Sequence, residues 1–210
     1  MNNKMDKTIS ALFVDIGGVL LTDGWGHSFR KRAVKAFNLD SEELENRHAM
    51  VFETFEIGKL TLEEYLNLVV FYQPRSFSQK QFKEFMFAQS ESDVKMIELM
   101  CQLKATYKLK IVVVSNEARE LNDFRIQKFR LNDFVDAFIS SCYVGLRKPD
   151  ADIFMLALDV AQVPADQVVY IENTSMFVKI AQGIGIRGIC HTDYTSTREK
   201  LVQFGLEIKL

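Results

Sequence analysis

The feature that most constrains this chain is a recurring one: short runs of β-branched and other apolar residues that stop abruptly at a polar residue. Ile111 to Val114 reads IVVV and is followed by Ser115 and Asn116. Val168 to Ile171 reads VVYI and is followed by Glu172 and Asn173, while Ile9 to Val14, interrupted by Ser10, runs into Asp15. Phe134 to Ile139 and Ile186 to Ile189 are weaker examples. Continuous apolar runs of this length suit strands covered on both faces, the habit of a parallel sheet, whereas a strand with one wet face would alternate.

Helical patterns separate these runs. Asp93 is placed to N-cap a helix through Tyr107, with Val94, Ile97, Leu99, Met100 and Leu103 as its apolar face. Ala118 to Phe129 and Asp152 to Ala161 read the same way, and Met176 to Gln182 is closed by Gly183 and Gly185. From residue 93 onward, strand and helix alternate as in an α/β protein with a doubly wound parallel sheet. The segment 22–92 breaks that alternation. It carries helical patterns over Phe29 to Phe37, Glu42 to Phe55, Leu62 to Phe71 and Lys80 to Phe87, and no convincing strand. Thr61 and Glu64 form a capping box that starts the third of these, and Pro74 with its neighbouring serines marks the turn to the fourth. The expected organisation is an α/β core made of 1–21 and 93–210, with 22–92 a helical insertion entered through a loop holding Gly24 and Gly26.

Composition narrows the partners. Hydrophobic residues at 48% and charged residues at 26% describe a globular chain, and 17 phenylalanines allow a partly aromatic core. A formal net charge of -2 with scattered basic residues gives no reason to expect nucleic acid or an anionic membrane. Met1 to Lys7 is polar and precedes only a short apolar run, so no signal peptide is expected. No segment approaches the roughly 18 apolar residues that a membrane span needs. The three cysteines are far apart and lack metal-ligand spacing, which suits free thiols and a cytoplasmic location. Oligomeric state has no signature here.

Ligands of open α/β sheets bind outside the carboxyl ends of the strands. Those ends would present Asp15, Ser115 with Asn116, and Glu172 with Asn173, and Lys148 lies on the loop before the Asp152 helix. Carboxylates, a hydroxyl and an ammonium converging on one crevice are equipment for holding a phosphate, with or without a metal. Taken singly, an Asp after a strand, a Ser-Asn pair or a Lys-Pro-Asp turn is more often a cap or turn; the order of all of them is what carries weight.

In that order, the residues resemble the haloacid dehalogenase superfamily over essentially the whole chain. Phe13-Val14-Asp15-Ile16-Gly17-Gly18-Val19-Leu20 is similar to its first motif, whose leading Asp is the nucleophile. Val113-Val114-Ser115-Asn116 is similar to the second, Lys148-Pro149-Asp150 with Ile153-Phe154 to the third, and Tyr170-Ile171-Glu172-Asn173 falls at the acidic fourth. The insertion occupies the position of the family's mobile cap, and Gly58-Lys59-Leu60-Thr61-Leu62-Glu63-Glu64-Tyr65 resembles a stretch common in such caps. The resemblance implies a Rossmann-like core and hydrolysis of a small phosphorylated metabolite through an aspartyl-phosphate on Asp15. It further implies Ser115 and Lys148 as catalytic partners and Asn116 and Gly18 at the substrate. Mg²⁺ would be held by Asp15, the Gly17 carbonyl, Glu172 and Asn173.

Departures from the pattern bear on rate. The position two after the nucleophile usually holds an Asp that acts as general acid and base, and here it is Gly17. Losing such a group costs about 10²–10⁴-fold, so slow turnover is expected unless another residue substitutes. Asn173 replaces one fourth-motif acid, weakening the expected Mg²⁺ affinity, and Phe177 stands where many relatives carry a polar residue. Asp23, His27, His48 and Glu53 are candidate substitutes, with Trp25 and Arg30 candidates for the pocket mouth and a substrate anion; each reads as readily as a solvated or packing residue. Two alternatives stand beside the phosphatase: a non-catalytic protein that binds phosphate or a phosphorylated ligand, and a 2-haloacid dehalogenase, whose halide leaves without protonation.

Overall fold

The computed structural model describes residues 8–208. Among them, Ala11–Val14 (β1), Lys110–Ser115 (β2), Ala137–Ser140 (β3), Val168–Glu172 (β4) and Arg187–Cys190 (β5) form one sheet ordered β3-β2-β1-β4-β5. Every neighbouring pair is parallel, with Val14 opposite both Val113 and Ile171. Successive strand residues point to opposite faces, and the apolar runs accordingly feed two layers. Leu12, Val14, Ile111, Val113, Val169 and Ile171 pack with Met96, Leu99, Met100 and Leu103 of Val94–Tyr107. On the other face, Phe13, Val112, Val114 and Tyr170 pack with Ile153, Phe154 and Ala157 of Asp152–Ala161. This is the doubly wound sheet expected from the sequence, and its continuous apolar strands are buried on both sides.

Between β1 and the Val94–Tyr107 helix lie four helices, His27–Phe37 (α1), Ser41–Glu56 (α2), Leu62–Val69 (α3) and Gln79–Ala88 (α4), with no named strand among the described residues. They enclose an apolar cluster of their own around Leu66, Phe82 and Tyr65, into which Ala118 projects from the α/β core. Phe37 makes ring contacts with Phe77, Phe82 and Phe85 at 4.5, 4.9 and 5.2 Å between centroids, which accounts for part of the phenylalanine content. The Thr61–Glu64 capping box starts α3, and a second box, Ser78–Gln81, starts α4.

After α4 come Val94–Tyr107 (α5), Arg119–Lys128 (α6), the short Ser141–Val144 (α7), Asp152–Ala161 (α8), Ser175–Gly183 (α9) and Tyr194–Gln203 (α10). The Phe134 to Ile139 run is a strand only from Ala137. Leu131–Asp133 forms a 3₁₀ turn, and Asp136 brackets Ile111, its amide donating to the Ile111 carbonyl and its carboxylate accepting from the Ile111 amide. Phe134 and Val135 are held in the core by that turn rather than by strand pairing. No helix among the described residues is long and apolar enough to cross a membrane.

Candidate active site

A cavity of roughly 400 Å³ opens at the carboxyl ends of β1, β2 and β4, roofed by α2 and the loop leading to α1. Its floor is a buried charge cluster. Asp15 directly follows β1, and its amide donates to the Ile171 carbonyl at 3.0 Å, which fixes the carboxylate beside the end of β4. The Lys148 ammonium lies 3.0 Å from Asp15 Oδ1, 2.6 Å from Glu172 Oε2 and 3.1 Å from the Tyr170 hydroxyl, with the Phe177 ring centroid 5.1 Å away. Ser115, the last residue of β2, hydrogen-bonds Asp15. The structure thus brings Asp15, Ser115, Lys148 and Glu172 together from four separate stretches of chain.

Two carboxylates share one ammonium in this buried space, and the imbalance shows at Asp15 and Lys148. Burial, reinforced by Glu172 and opposed by Lys148 and Ser115, pushes Asp15 up from 3.8 to about 7. For Lys148, burial disfavours the charge, but Asp15 and Glu172 outweigh it and hold the ammonium above its ordinary range. The site therefore has room for one more positive charge. Hard oxygen donors around it (Asp15, the Gly17 backbone, Glu172 and Asn173) fit a Mg²⁺ ion. Among the described residues no group of three or more His, Cys, Asp or Glu is placed to hold a metal, so such an ion would lean on amide and backbone oxygens.

Several residues occupy places that the motifs alone do not describe. Glu172 uses Oε2 for Lys148 and Tyr170 and Oε1 for the Thr174 amide at 2.8 Å, so it mainly orients Lys148. Asn116 lines the cavity, but its side chain clamps the Lys148 backbone, donating to the carbonyl and accepting from the amide, each at 2.9 Å. Gly18, expected at the substrate, borders a separate, shallower cavity instead. It has φ +74°, and a Cβ there would come within 2.0 Å of Asn173 Nδ2, so only glycine lets the two loops meet.

Of the candidate substitutes for Gly17, Asp23 and His48 line the cavity, whereas His27 and Glu53 stand outside its lining. His27 pairs with Glu45 at 3.3 Å, and Glu53 pairs with Arg147 at 3.0 Å. Asp23 is closest to the vacated role, since a Cβ built on Gly17 would lie 3.8 Å from Asp23 Oδ1. Arg30 borders the cavity but is not free for a substrate anion: Nε and Nη2 bond Glu45 and Nη1 bonds the Trp25 carbonyl.

Other participants had no motif to announce them. Arg147 donates to Glu53 and Glu56 of α2, tying the loop that carries Lys148 to the helical insertion. Arg125 and Glu117 form a fully buried pair at 2.6 Å, and Arg125 also bonds the Thr22 carbonyl where the chain leaves the core. Gly24 leaves space for that guanidinium, since a Cβ would sit 2.7 Å from Arg125 Nη1 and force one of them to shift. Tyr170 carried the one legible signal. A tyrosine inside a fully apolar strand must find a polar partner for its hydroxyl.

Three comparisons bear on this geometry. A family model described as a haloacid dehalogenase-like hydrolase matches residues 9–185. Flavin mononucleotide hydrolase 1 of Arabidopsis thaliana, a chloroplast protein, is 28% identical over 167 residues, covering 80% of this chain and 67% of that protein. Among solved structures, a HAD family enzyme of Bacteroides thetaiotaomicron, in complex with magnesium and inorganic phosphate, superposes with a TM-score of 0.74 at 19% identity, over 90% of this chain and 98% of that one. The L-2-haloacid dehalogenase of Xanthobacter autotrophicus, with chloropropionic acid covalently bound, gives 0.61 at 15% identity, over 96% and 85%. At such identities the structural likenesses speak for the fold.

Proposed function

The chain belongs to the haloacid dehalogenase-like hydrolase family, and from that premise we propose that it is a phosphatase of small phosphorylated metabolites with Asp15 as nucleophile. The observation that carries this reading is the 3.0 Å pairing of Asp15 with a buried Lys148 at the closed end of the cavity. Asp15 attacks phosphorus, the bond to the leaving oxygen breaks, and an aspartyl-phosphate forms that water then hydrolyses. Lys148 and the Ser115 hydroxyl donate to phosphoryl oxygens as charge gathers on them. Asn116 holds the Lys148 backbone, and Tyr170 with Glu172 holds its ammonium.

Asp15, the Gly17 carbonyl and Asn173, with Glu172 alongside, would hold Mg²⁺, which when bound offsets the excess carboxylate charge and that of the incoming phosphate. The magnesium and phosphate carried by the Bacteroides enzyme and the hydrolase activity named for the Arabidopsis relative support the same reading. Asp23 takes the proton-handling part left open by Gly17. The segment 22–92 acts as a cap, supplying Trp25, His48, Phe52 and Phe55 to the cavity and meeting the core through Arg147, Glu120 and Ser141. The free cysteines of the chain, Cys101, Cys142 and Cys190, favour a reducing compartment such as the cytoplasm.

Hydrolysis of p-nitrophenyl phosphate with Mg²⁺, with a chelator, and by Asp15→Asn tests this. Metal-dependent turnover that the variant loses supports the proposal; turnover equal in both proteins removes it.

A further inference from the structure

The cap side of the cavity has its own chemistry. Trp25 Nε1 lies 2.8 Å from the Tyr65 hydroxyl, and His48 Nδ1 lies 2.8 Å from the same oxygen. An indole N–H can only donate, so the tyrosine oxygen accepts from Trp25. Tyr65 is fully buried, and its own hydrogen needs an acceptor. His48 Nδ1 is that acceptor, which puts the imidazole proton on Nε2. The chain Trp25 to Tyr65 to His48 thus sets one tautomer of the histidine. Nε2 has no protein partner among the described residues, and the ring borders the cavity.

The surroundings of that donor are flat and without spare charge. His48 stacks on Phe52 at 5.3 Å and 30°, and Trp25 and Phe55 also line the cavity. The neighbouring charges are paired within the protein, Arg30 with Glu45 and Arg147 with Glu53 and Glu56. Burial lowers the His48 pKa to about 4, with Arg30 adding to the effect and Glu45 opposing it, so the ring stays neutral.

We infer that this half of the cavity receives a flat, uncharged conjugated ring as the organic part of the substrate, and that His48 Nε2–H donates to an acceptor atom on the ring's edge. The inference rests on the phosphatase reading only in placing the phosphoryl end at Asp15. His48 then determines specificity rather than taking part in the bond changes.

Binding can be read apart from turnover by titrating the protein calorimetrically with benzylphosphonate, cyclohexylmethylphosphonate and the 3- and 4-pyridylmethylphosphonates. The expected order is one pyridyl isomer about tenfold tighter than benzyl, the yield of one well-placed neutral hydrogen bond, and benzyl tighter than cyclohexylmethyl. His48→Leu should abolish the pyridyl preference, bringing the pyridyl and benzyl affinities together. His48→Gln, whose amide nitrogen reaches a similar place, should restore most of it, and Tyr65→Phe should reduce it by freeing the tautomer. Equal binding of pyridyl and benzyl probes, equal weakening of all probes by His48→Leu, or no binding at all overturns the inference. If p-nitrophenyl phosphate is still hydrolysed through Asp15 in that case, only the ring-binding role falls; if it is not, the phosphatase reading falls with it.

Discussion

Asp15 shows how burial of a single carboxylate costs folding stability. An acid whose pKa is higher in the folded state binds its proton more tightly there, so folding stability falls as pH rises from its ordinary 3.8 through about 7. Asp15→Asn removes that cost while Lys148 keeps Glu172 as a partner at 2.6 Å. In chelator, the variant should therefore be more stable than the parent by on the order of 2–4 kcal/mol at pH 8, with the gain vanishing near pH 4. Urea midpoints at the two pH values check this, and a gain independent of pH would contradict it. Tyr170→Phe should lower kcat about tenfold with little change in KM, because it loosens the Lys148 ammonium without touching the cavity wall. At this scale the sequence exposed the four strand-end and loop residues that carry charge or hydroxyl. It did not reveal that Asn116 and Glu172 serve Lys148, since that depends on side chains meeting across 32 and 24 positions.

Elements were legible where the signal is local. The Thr61–Glu64 box and the Asp93 cap act within one helical turn, and both stand where their residues predict. The Phe134 run misled because its apolar residues are buried by a turn, and burial alone does not distinguish a strand from a packed loop. The contact between the loop before α8 and α2 is non-local, and it sets up a test. Burial raises the Glu56 pKa and the Arg147 guanidinium opposes this, so Arg147→Met leaves a half-buried carboxylate unpaired. Such a loss should cost about 1–3 kcal/mol in urea unfolding, and adding Glu56→Gln to the same protein should recover most of it. Additive losses in the double variant would show that the pair does not join the two elements.

For the whole molecule, the topology decides where chemistry can occur. Placing β1 between β2 and β4 in a parallel sheet gathers Asp15, Ser115 and Glu172 at one end, and the helical insertion after β1 necessarily arises beside that end. The alternation of strands and helices was enough to foresee a doubly wound parallel sheet, but not the strand order. The cavity's aromatic roof was not foreseen, because orientation within the insertion is settled by its own packing. If Asp23 takes the proton-handling part that Gly17 leaves open, alkyl phosphates depend on it far more than aryl phosphates, whose leaving oxygen needs little protonation. Asp23→Asn should then reduce alkyl turnover by about 10²-fold or more and aryl turnover far less. Parallel losses on both classes, in a substrate series measured with Mg²⁺, would assign Asp23 a structural part.

Covalent catalysis by Asp15 predicts a phosphorylated enzyme, which acid-quenched turnover followed by mass spectrometry of the digested protein detects. During hydrolysis of p-nitrophenyl phosphate, the peptide carrying Asp15 should bear a phosphoryl group that disappears when substrate is exhausted, and Asp15→Asn should show neither adduct nor turnover. Turnover that continues unchanged in Asp15→Asn, with no phosphorylated peptide in either protein, would show that Asp15 is not the nucleophile.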